Sequence, residues 1–171
     1  YCPMDPISQG VVGALWAASL APKHKLRPTL IAGALAGMAA DLDVLISSRT
    51  DPLLFLEYHR QFTHSLIFVP IGALIVALSL WPVLKRRLQP KELLAACFLG
   101  YLSHGLLDAC TTYGTQLLWP FTDVRVAWNV ISIVDPLFTL PLLIAVGLGT
   151  FTTRVKAGPR IGLIWLFAYL G

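Results

Sequence analysis

Charged side chains are scarce in this chain. Of its 171 residues, 13 are Lys or Arg and 9 are Asp or Glu, whereas 56% are hydrophobic. This composition, with a mean hydropathy of +0.71, excludes an ordinary soluble domain and predicts an integral membrane protein. The net charge of +4 does not indicate nucleic-acid binding, because the basic residues occupy short loops between apolar segments. We therefore expect membrane lipids, and no nucleic acid, as partners.

Cysteines are few as well. Cys2, Cys97 and Cys110 show neither CxxC nor metal-finger spacing, which argues against a disulfide framework and against a cysteine-based metal site. The chain also lacks the pattern of a cleavable signal peptide. Insertion into a membrane would therefore depend on the helices themselves.

The apolar sequence is divided into segments by Pro, Gly and charged residues. These segments predict five helices and the beginning of a sixth, over residues 7–21, 28–47, 64–84, 92–118, 130–150 and 161 to the end. We expect an all-α polytopic transmembrane bundle that forms a single domain over residues 1–171. Because the last segment is shorter than the ~20 residues of a membrane span, we expect this domain to be truncated at its C-terminus.

The basic residues predict an orientation. Most Lys and Arg lie in the loops at 22–27, 85–91 and 151–160, and the alternate loops contain only Arg49, Arg60 and Arg125. Positively charged loops stay on the cytoplasmic side. We therefore expect a multi-pass protein of the inner (plasma) membrane with its N-terminus outside.

Several ionisable residues interrupt the apolar segments. A charge at bilayer depth costs about 2.5–3.5 kcal/mol and needs a compensating partner. The predicted topology gathers these residues in the outer half of the bundle, where a shared divalent metal is the simplest partner, zinc first and manganese second. The candidates are Asp41, Asp43, His59, His64, His104, Asp108 and Asp135.

His104 and Asp108 are the strongest pair of candidate metal ligands. Their i,i+4 spacing places both side chains on one face of the fourth helix, one turn apart. This arrangement offers two ligands to one metal, or one ligand to each of two close metals. The alternative is a buried hydrogen bond between the two side chains that joins helices.

The segment around His59 and His64 adds two more imidazoles. Thr63 is a suitable N-cap for the third helix, which would place His64 in the first turn and His59 in the preceding loop. Arg60 lies between them and is a candidate for bidentate contact with a phosphate. An equally open alternative is that Arg60 contacts lipid headgroups at the outer surface.

Two aspartates precede this segment and one follows the fourth helix. Asp41 and Asp43 lie about 200° apart on an ideal helix, so both can enter one site only if the helix ends or unwinds there. Both are candidate catalytic residues. One would be a metal ligand, and the other would either support a ligand by a hydrogen bond or act as a base for the attacking water; the sequence does not decide between them. Asp43 is also a candidate ligand. Asp135 precedes Pro136 and is either a ligand or the N-cap of the fifth helix.

These motifs together resemble a known family. The chain is similar, over nearly its whole length, to the YdjM-like family of inner-membrane metal-dependent hydrolases, which is also described as LexA-binding. The resemblance implies a membrane hydrolase whose metal ligands come from these motifs, with a LexA association as a further implication. The motifs are Met4-Asp5-Pro6-Ile7-Ser8, Ala40-Asp41-Leu42-Asp43, His59-Arg60-x-Phe62-Thr63-His64-Ser65, Ser103-His104-x-x-x-Asp108-x-x-Thr111-x-x-Gly114 and Asp135-Pro136.

A more remote similarity and two departures refine this expectation. The helical H-x-x-x-D with an upstream Asp and His resembles the zinc-dependent phospholipase C and P1 nuclease group, which implies a phosphoester substrate. Gln9 stands where the family often has histidine and Gln61 where glycine is common. Gln9 would be a poorer ligand than histidine, which argues against a complete multi-metal centre.

The sequence therefore predicts a membrane hydrolase that acts from the outer side, on a phosphoester or lipid substrate, with water activated by a divalent metal. The rival is a transporter, or a proton or metal pathway, that uses the same His/Asp cluster. A metal-stabilised structural or regulatory membrane protein is a third possibility. Access from both sides would identify the transporter, and turnover would identify the enzyme.

Overall fold

The computed structural model describes residues 5–45, 62–132, 134–151 and 157–171, and for residues 43–45 and 157 it describes the backbone alone. This part of the chain is all-helical, without a β-strand. Its six α-helices are α1 (Pro6–Leu20), α2 (Leu26–Ala39), α3 (Val69–Leu84), α4 (Pro90–Ala109), α5 (Pro136–Phe151) and α6 (Ala157–Leu170). Short 3₁₀ turns span Lys23–Lys25, Ala40–Leu45 and Phe62–His64.

The starts of three helices follow from local sequence. The Asp5 carboxylate accepts hydrogen bonds from the backbone N–H groups of Ile7 and Ser8 at the start of α1. Gln89 and Glu92 form a reciprocal capping box on α4, in which Pro90 takes the first helical position. Asp135 accepts from the backbone N–H of Phe138 and so caps α5. Each cap satisfies N–H groups that lack partners within the helix.

The centre of the fold is the packing of α1, α2 and α4 on one another; α3 packs on α4, and α5 and α6 form a pair against α1. Glycines make the central contacts close. A Cβ atom added to Gly100 would lie 2.4 Å from the carbonyl oxygen of Gly33, and one added to Gly37 would lie 2.6 Å from that of Gln9. Gly33 and Gly37 thus form a close helix contact, as their GxxxG spacing predicts.

Two apolar clusters flank the central helices. One joins α2, α3 and α4 around Tyr101 and Leu93, and the other joins α1, α4, α5 and α6 around Phe138 and Leu166. Large apolar side chains also remain exposed along the outer faces of α3, α5 and α6. No helix in the described ranges combines the length and the apolarity needed to cross a membrane. The expected number of membrane spans therefore stays a prediction.

Several helix boundaries differ from the sequence prediction. The third helix begins at Val69, not at His64, because Pro70 is placed in its first turn, where proline is favoured. The fourth helix ends at Ala109 and not at residue 118, because the following loop turns back onto it. In that loop the N–H of Trp128 donates to the carbonyl of Ala109. The fifth helix starts at Pro136 rather than at residue 130.

Candidate metal centre

Four of the predicted residues meet in the interior. Each of Asp41, His64, His104 and Asp108 presents one ligand atom, and all four atoms lie within 4.8 Å of one another. The two histidine Nε2 atoms are 2.8 Å apart. Asp108 Oδ2 lies 3.2 Å from His64 Nε2, and Asp41 Oδ1 lies 3.3 Å from His104 Nε2. The sequence prediction named these four among seven candidates, and the fold places them together.

Helix α4 supplies His104 and Asp108, whose side chains are completely buried. The Nδ1 atom of His104 contacts the carbonyl oxygen of Gly37 on α2. Because a carbonyl only accepts hydrogen bonds, Nδ1 must carry a proton. In the neutral imidazole the lone pair is therefore on Nε2, which faces His64 and Asp41.

Asp41 enters the centre because α2 does not continue as an α-helix. The helix ends at Ala39 and the chain tightens into the 3₁₀ turn Ala40–Leu45. In the sequence prediction, such an interruption is the condition for both aspartates to enter one site; the Asp43 side chain lies outside the described residues. Both carboxylate oxygens of Asp41 are buried and receive no hydrogen bond from the described part of the chain. A buried carboxylate without hydrogen bonds requires a positive charge nearby. A cation between Asp41 Oδ1 and the Nε2 atoms of His104 and His64, which lie 3.3 and 3.6 Å from it, would supply that charge.

His64 reaches the centre from the turn Phe62–His64, which α4 holds in place. The Tyr101 hydroxyl donates to the carbonyl of Thr63 at 3.0 Å. A Cβ atom on Gly105 would lie 2.7 Å from the carbonyl oxygen of His64, so only glycine lets the turn approach α4 this closely. Thr63 does not cap α3 as its position in the sequence predicted. Its hydroxyl instead contacts His64 Nδ1 at 2.8 Å, which directs Nε2 inward.

Helix α1 contributes Gln9, which is fully buried. Its side-chain nitrogen donates to Asp108 Oδ1 at 2.8 Å, and the carboxylate acceptor fixes which end of the amide faces it. Gln9 thereby orients Asp108 so that Oδ2 faces the histidines. The Gln9 amide thus holds the candidate ligand Asp108 in place, whereas the family resemblance suggested that Gln9 would itself be a weak ligand.

The His–Asp distances suit one tetrahedral ion, whereas the two Nε2 atoms, 2.8 Å apart, would have to separate by about 0.5 Å to coordinate it. Ligand atoms about 2.0–2.2 Å from a zinc ion, at the corners of a tetrahedron, stand about 3.3–3.6 Å apart. The four His–Asp distances are 3.2, 3.3, 3.6 and 3.6 Å. With two imidazole nitrogens, two carboxylate oxygens and unpartnered oxygens on Asp41, the residues present fit a divalent cation.

The other predicted residues stand apart from this set or are not described. His59 and Arg60 lie outside the described residues, as does the Asp43 side chain. Asp135 caps α5 and accepts a hydrogen bond from the Tyr169 hydroxyl at 2.7 Å, so the N-cap alternative is the arrangement observed. Asp135 is not one of the four residues of the cluster.

Two supporting groups carry no clear sequence signal. The Gly37 carbonyl that holds His104 is a backbone atom, and the GxxxG spacing indicates only a close helix contact. Tyr101 lies one turn before His104, so the sequence predicts that both lie on the same face of α4. The hydrogen bond from Tyr101 to Thr63 could not be predicted, because it depends on how the turn Phe62–His64 packs on α4.

The fold and the cluster define a helical protein with a buried centre of two histidines and two aspartates that could hold a divalent metal. The sequence profile of the YdjM inner membrane protein family matches residues 4–171, and the chain belongs to this family.

Three relatives illustrate the similarity. The chain is 26% identical to YfhP of Bacillus subtilis (strain 168) over 141 residues, 82% of this chain and 41% of YfhP. It is 36% identical to the inner membrane protein YbcI of Escherichia coli (strain K12) over 110 residues, 61% of each chain. It is 45% identical to the inner membrane protein YdjM of the same organism over 62 residues, 36% of this chain and 30% of YdjM. The chain thus spans less than two thirds of each relative. No solved structure matches it.

Proposed function

We propose that this protein is a membrane-embedded, metal-dependent hydrolase that cleaves a phosphoester, in a lipid or another substrate, from the outer side of the inner membrane. The observation that carries the proposal is the buried cluster of four convergent ligand atoms on Asp41, His64, His104 and Asp108. A bound divalent cation would supply a Lewis acid and would lower the pKa of a coordinated water towards neutrality. The remote resemblance to phospholipase C and P1 nuclease supports the phosphoester class.

The surroundings of the ligands favour one ion over a close pair. The second ring nitrogen of each histidine is engaged, by the Gly37 carbonyl for His104 and by the Thr63 hydroxyl for His64. The second oxygen of Asp108 accepts from Gln9. These distal atoms orient the ligands and are therefore not directed at a second metal. Two imidazoles with two carboxylates suit zinc, and manganese is the second choice.

Substrate would approach from the side of Asp41. Its side chain is 14% exposed, whereas those of the other three residues are 0% exposed. Asp43 and Arg60, close in sequence to Asp41 and His64, remain our candidates for the base that takes a proton from water and for the cation that binds the phosphate. His59 remains a further candidate ligand.

A membrane setting is supported by the family, whose name describes inner membrane proteins. The apolar side chains exposed on α3, α5 and α6 suit contact with lipid. We propose several membrane passes with the basic loops in the cytoplasm and the N-terminus outside. The metal centre would then open towards the outer leaflet.

Hydrolysis is tested with purified protein in detergent, reconstituted with zinc or manganese. The probes are bis(4-nitrophenyl) phosphate and vesicles of phosphatidylglycerol and phosphatidylcholine. We expect metal-dependent release of product by the wild type and a loss of at least ~100-fold in Asp41→Asn. Asp123→Asn, a carboxylate in the exposed loop after α4, is the matched control and should retain full activity. Metal-loaded protein that turns over none of these probes would refute the hydrolase proposal and leave the metal centre standing.

A further inference from the structure

A second polar site lies at the end of the molecule where α3 turns into α4. It is a pocket of about 320 Å³ whose lining includes Lys25, Trp81, Lys85, Arg86, Arg87 and Gln89. None of these residues belongs to the metal cluster. Binding at this pocket would therefore be independent of the proposed hydrolase activity.

The pocket carries an excess of positive charge. Lys25 donates to both oxygens of Glu92 at 2.7 and 2.8 Å, so its charge is matched. Lys85, Arg86 and Arg87 are exposed and form no ion pair or side-chain hydrogen bond with the described part of the chain. Three consecutive cations that line the pocket therefore have no anionic partner among the described residues.

An apolar face of α3 leads to the pocket, because Leu74, Leu78 and Trp81 follow the i, i+4, i+7 spacing of one helix face. Trp81 is half-buried on its wall, and an indole in this position is typical of a membrane–water interface. On α3, which precedes the basic residues, Leu74, Ile75 and Leu78 are 48%, 55% and 64% exposed. A ligand that fits both surfaces has an anionic head and an apolar tail.

We propose that this pocket binds the phosphate group of an anionic phospholipid. The two arginines offer planar forks that match phosphate oxygens, and Lys85 adds a point charge. The acyl chains would lie along the exposed face of α3. Basic pockets between helices are a known type of site for anionic headgroups. Free inorganic phosphate shares the charge and hydrogen-bonding groups of the headgroup but has no apolar part that could contact the exposed face of α3.

The test measures thermal unfolding of the detergent-solubilised protein with phosphatidylglycerol, phosphatidylcholine or inorganic phosphate added. The variant is Lys85→Gln/Arg86→Gln/Arg87→Gln. Its control, Lys23→Gln/Lys91→Gln/Arg160→Gln, removes the same charge from exposed basic residues outside the pocket. We expect phosphatidylglycerol to raise the Tm of the wild type and of the control by at least ~2 °C, and not that of the variant.

Three results would overturn the proposal. An equal loss of response in the control would show a general effect of surface charge. An equal rise with phosphatidylcholine would show that the headgroup charge is irrelevant. A full response to inorganic phosphate alone would identify a free phosphate site. The Tm of each variant without lipid reports whether it is folded.

Discussion

At the scale of single residues, Gln9 shows how a side chain that holds no metal still shapes a metal centre. Its amide nitrogen bonds to Asp108 Oδ1 at 2.8 Å in a fully buried setting. Removal of the amide would leave that oxygen without its donor and free the carboxylate to rotate. Supports of this kind typically contribute 10–100-fold to metal affinity.

We therefore predict that Gln9→Leu lowers zinc affinity by roughly 10–100-fold while the helical content is unchanged. The measurement is competition for zinc with a chromophoric chelator, alongside circular dichroism. Gln116→Leu is the control, because that amide bonds to the carbonyl of Asp123 in an exposed loop. Equal affinities of Gln9→Leu and wild type would contradict the role assigned to Gln9.

Asp135 allows a second prediction at this scale. In the structure it caps α5 and accepts from Tyr169, although the sequence also made it a candidate ligand. Asp135→Ala should destabilise the protein by about 1–2 kcal/mol through the lost cap and hydrogen bond. Metal content should be unchanged. Loss of metal from a folded Asp135→Ala protein would restore its assignment as a ligand.

The residue-scale predictions succeeded where the spacing is fixed by one regular helix. His104 and Asp108 share a face whatever the rest of the fold does. The entry of Asp41 depended instead on where α2 gives way to a 3₁₀ turn, which no local pattern specified. The approach of His64 depended on Tyr101 and Gly105, and these contacts exist only after α4 has packed on the turn.

At the scale of the helices, glycines control how closely α1, α2 and α4 approach, and therefore whether ligands from different helices can meet. Gly100 on α4 lies against the Gly33 backbone on α2, and an added Cβ would be 2.4 Å from its carbonyl oxygen. A methyl group there would force the helices apart. The Gly37 carbonyl that holds His104 would move with α2.

Gly100→Ala should therefore destabilise the protein by about 1–3 kcal/mol and reduce its metal content. The matched control is Gly147→Ala on α5, where an added Cβ meets nothing within 4 Å. That substitution should stabilise the helix by about 0.5–1 kcal/mol. Thermal unfolding and bound metal would be measured for both variants. Equal effects of the two substitutions would disprove the close-packing argument.

The ion pair of Lys25 and Glu92 links the turn before α2 to the first turn of α4, outside the apolar part of that helix. The pKa of Glu92 is lowered from its usual value of 4.5, first by the hydrogen bond from Lys25 and then by that from the Gln89 backbone. A carboxyl group whose pKa is lowered by folding stabilises the folded state at every pH above its usual pKa. This stabilisation is lost as the pH falls through the lowered pKa.

Glu92→Gln should therefore lower the Tm at pH 7. The difference from wild type should shrink as the pH falls below 4.5 and disappear below the lowered pKa of Glu92. Thermal unfolding across this range tests the prediction. A difference in Tm that is the same at pH 7 and at acid pH would show that the pair contributes through packing and not through charge.

Helix boundaries were predicted to within two residues at the starts of α1 and α4 and poorly where a long apolar run crosses a boundary, as at the start of α5 and the end of α4. The first predicted segment, from residue 7, starts one residue after α1, which Asp5 caps. The run after Ala109 looked helical by composition alone, but the loop folds back onto the end of α4. There the N–H of Trp128 donates to the carbonyl of Ala109, and those of Val130 and Ile131 donate to the carbonyl of Cys110, the residue after α4. Such contacts between distant segments leave no periodic signal.

At the scale of the whole molecule, the metal centre is where separate segments are joined. Asp41 comes from the turn after α2 and His64 from the turn before α3, whereas His104 and Asp108 come from α4. Gln9 of α1 donates a hydrogen bond to Asp108. A cation at their meeting point would tie these elements together and would stabilise the fold as it binds. The all-α class of the fold followed from the sequence. The four residues of the cluster were among seven candidates that the sequence offered without selecting them, and the activity remains our proposal.

The most direct test is the metal content of the protein purified in detergent without chelator, measured by inductively coupled plasma mass spectrometry. We predict about one zinc or manganese ion per chain. It should be lost in His104→Ala and in His64→Ala, and retained in His24→Ala, which removes an exposed histidine outside the cluster. Folded wild-type protein that holds no divalent metal, even after dialysis against zinc or manganese, would contradict the account and leave the four residues as a buried hydrogen-bonded network.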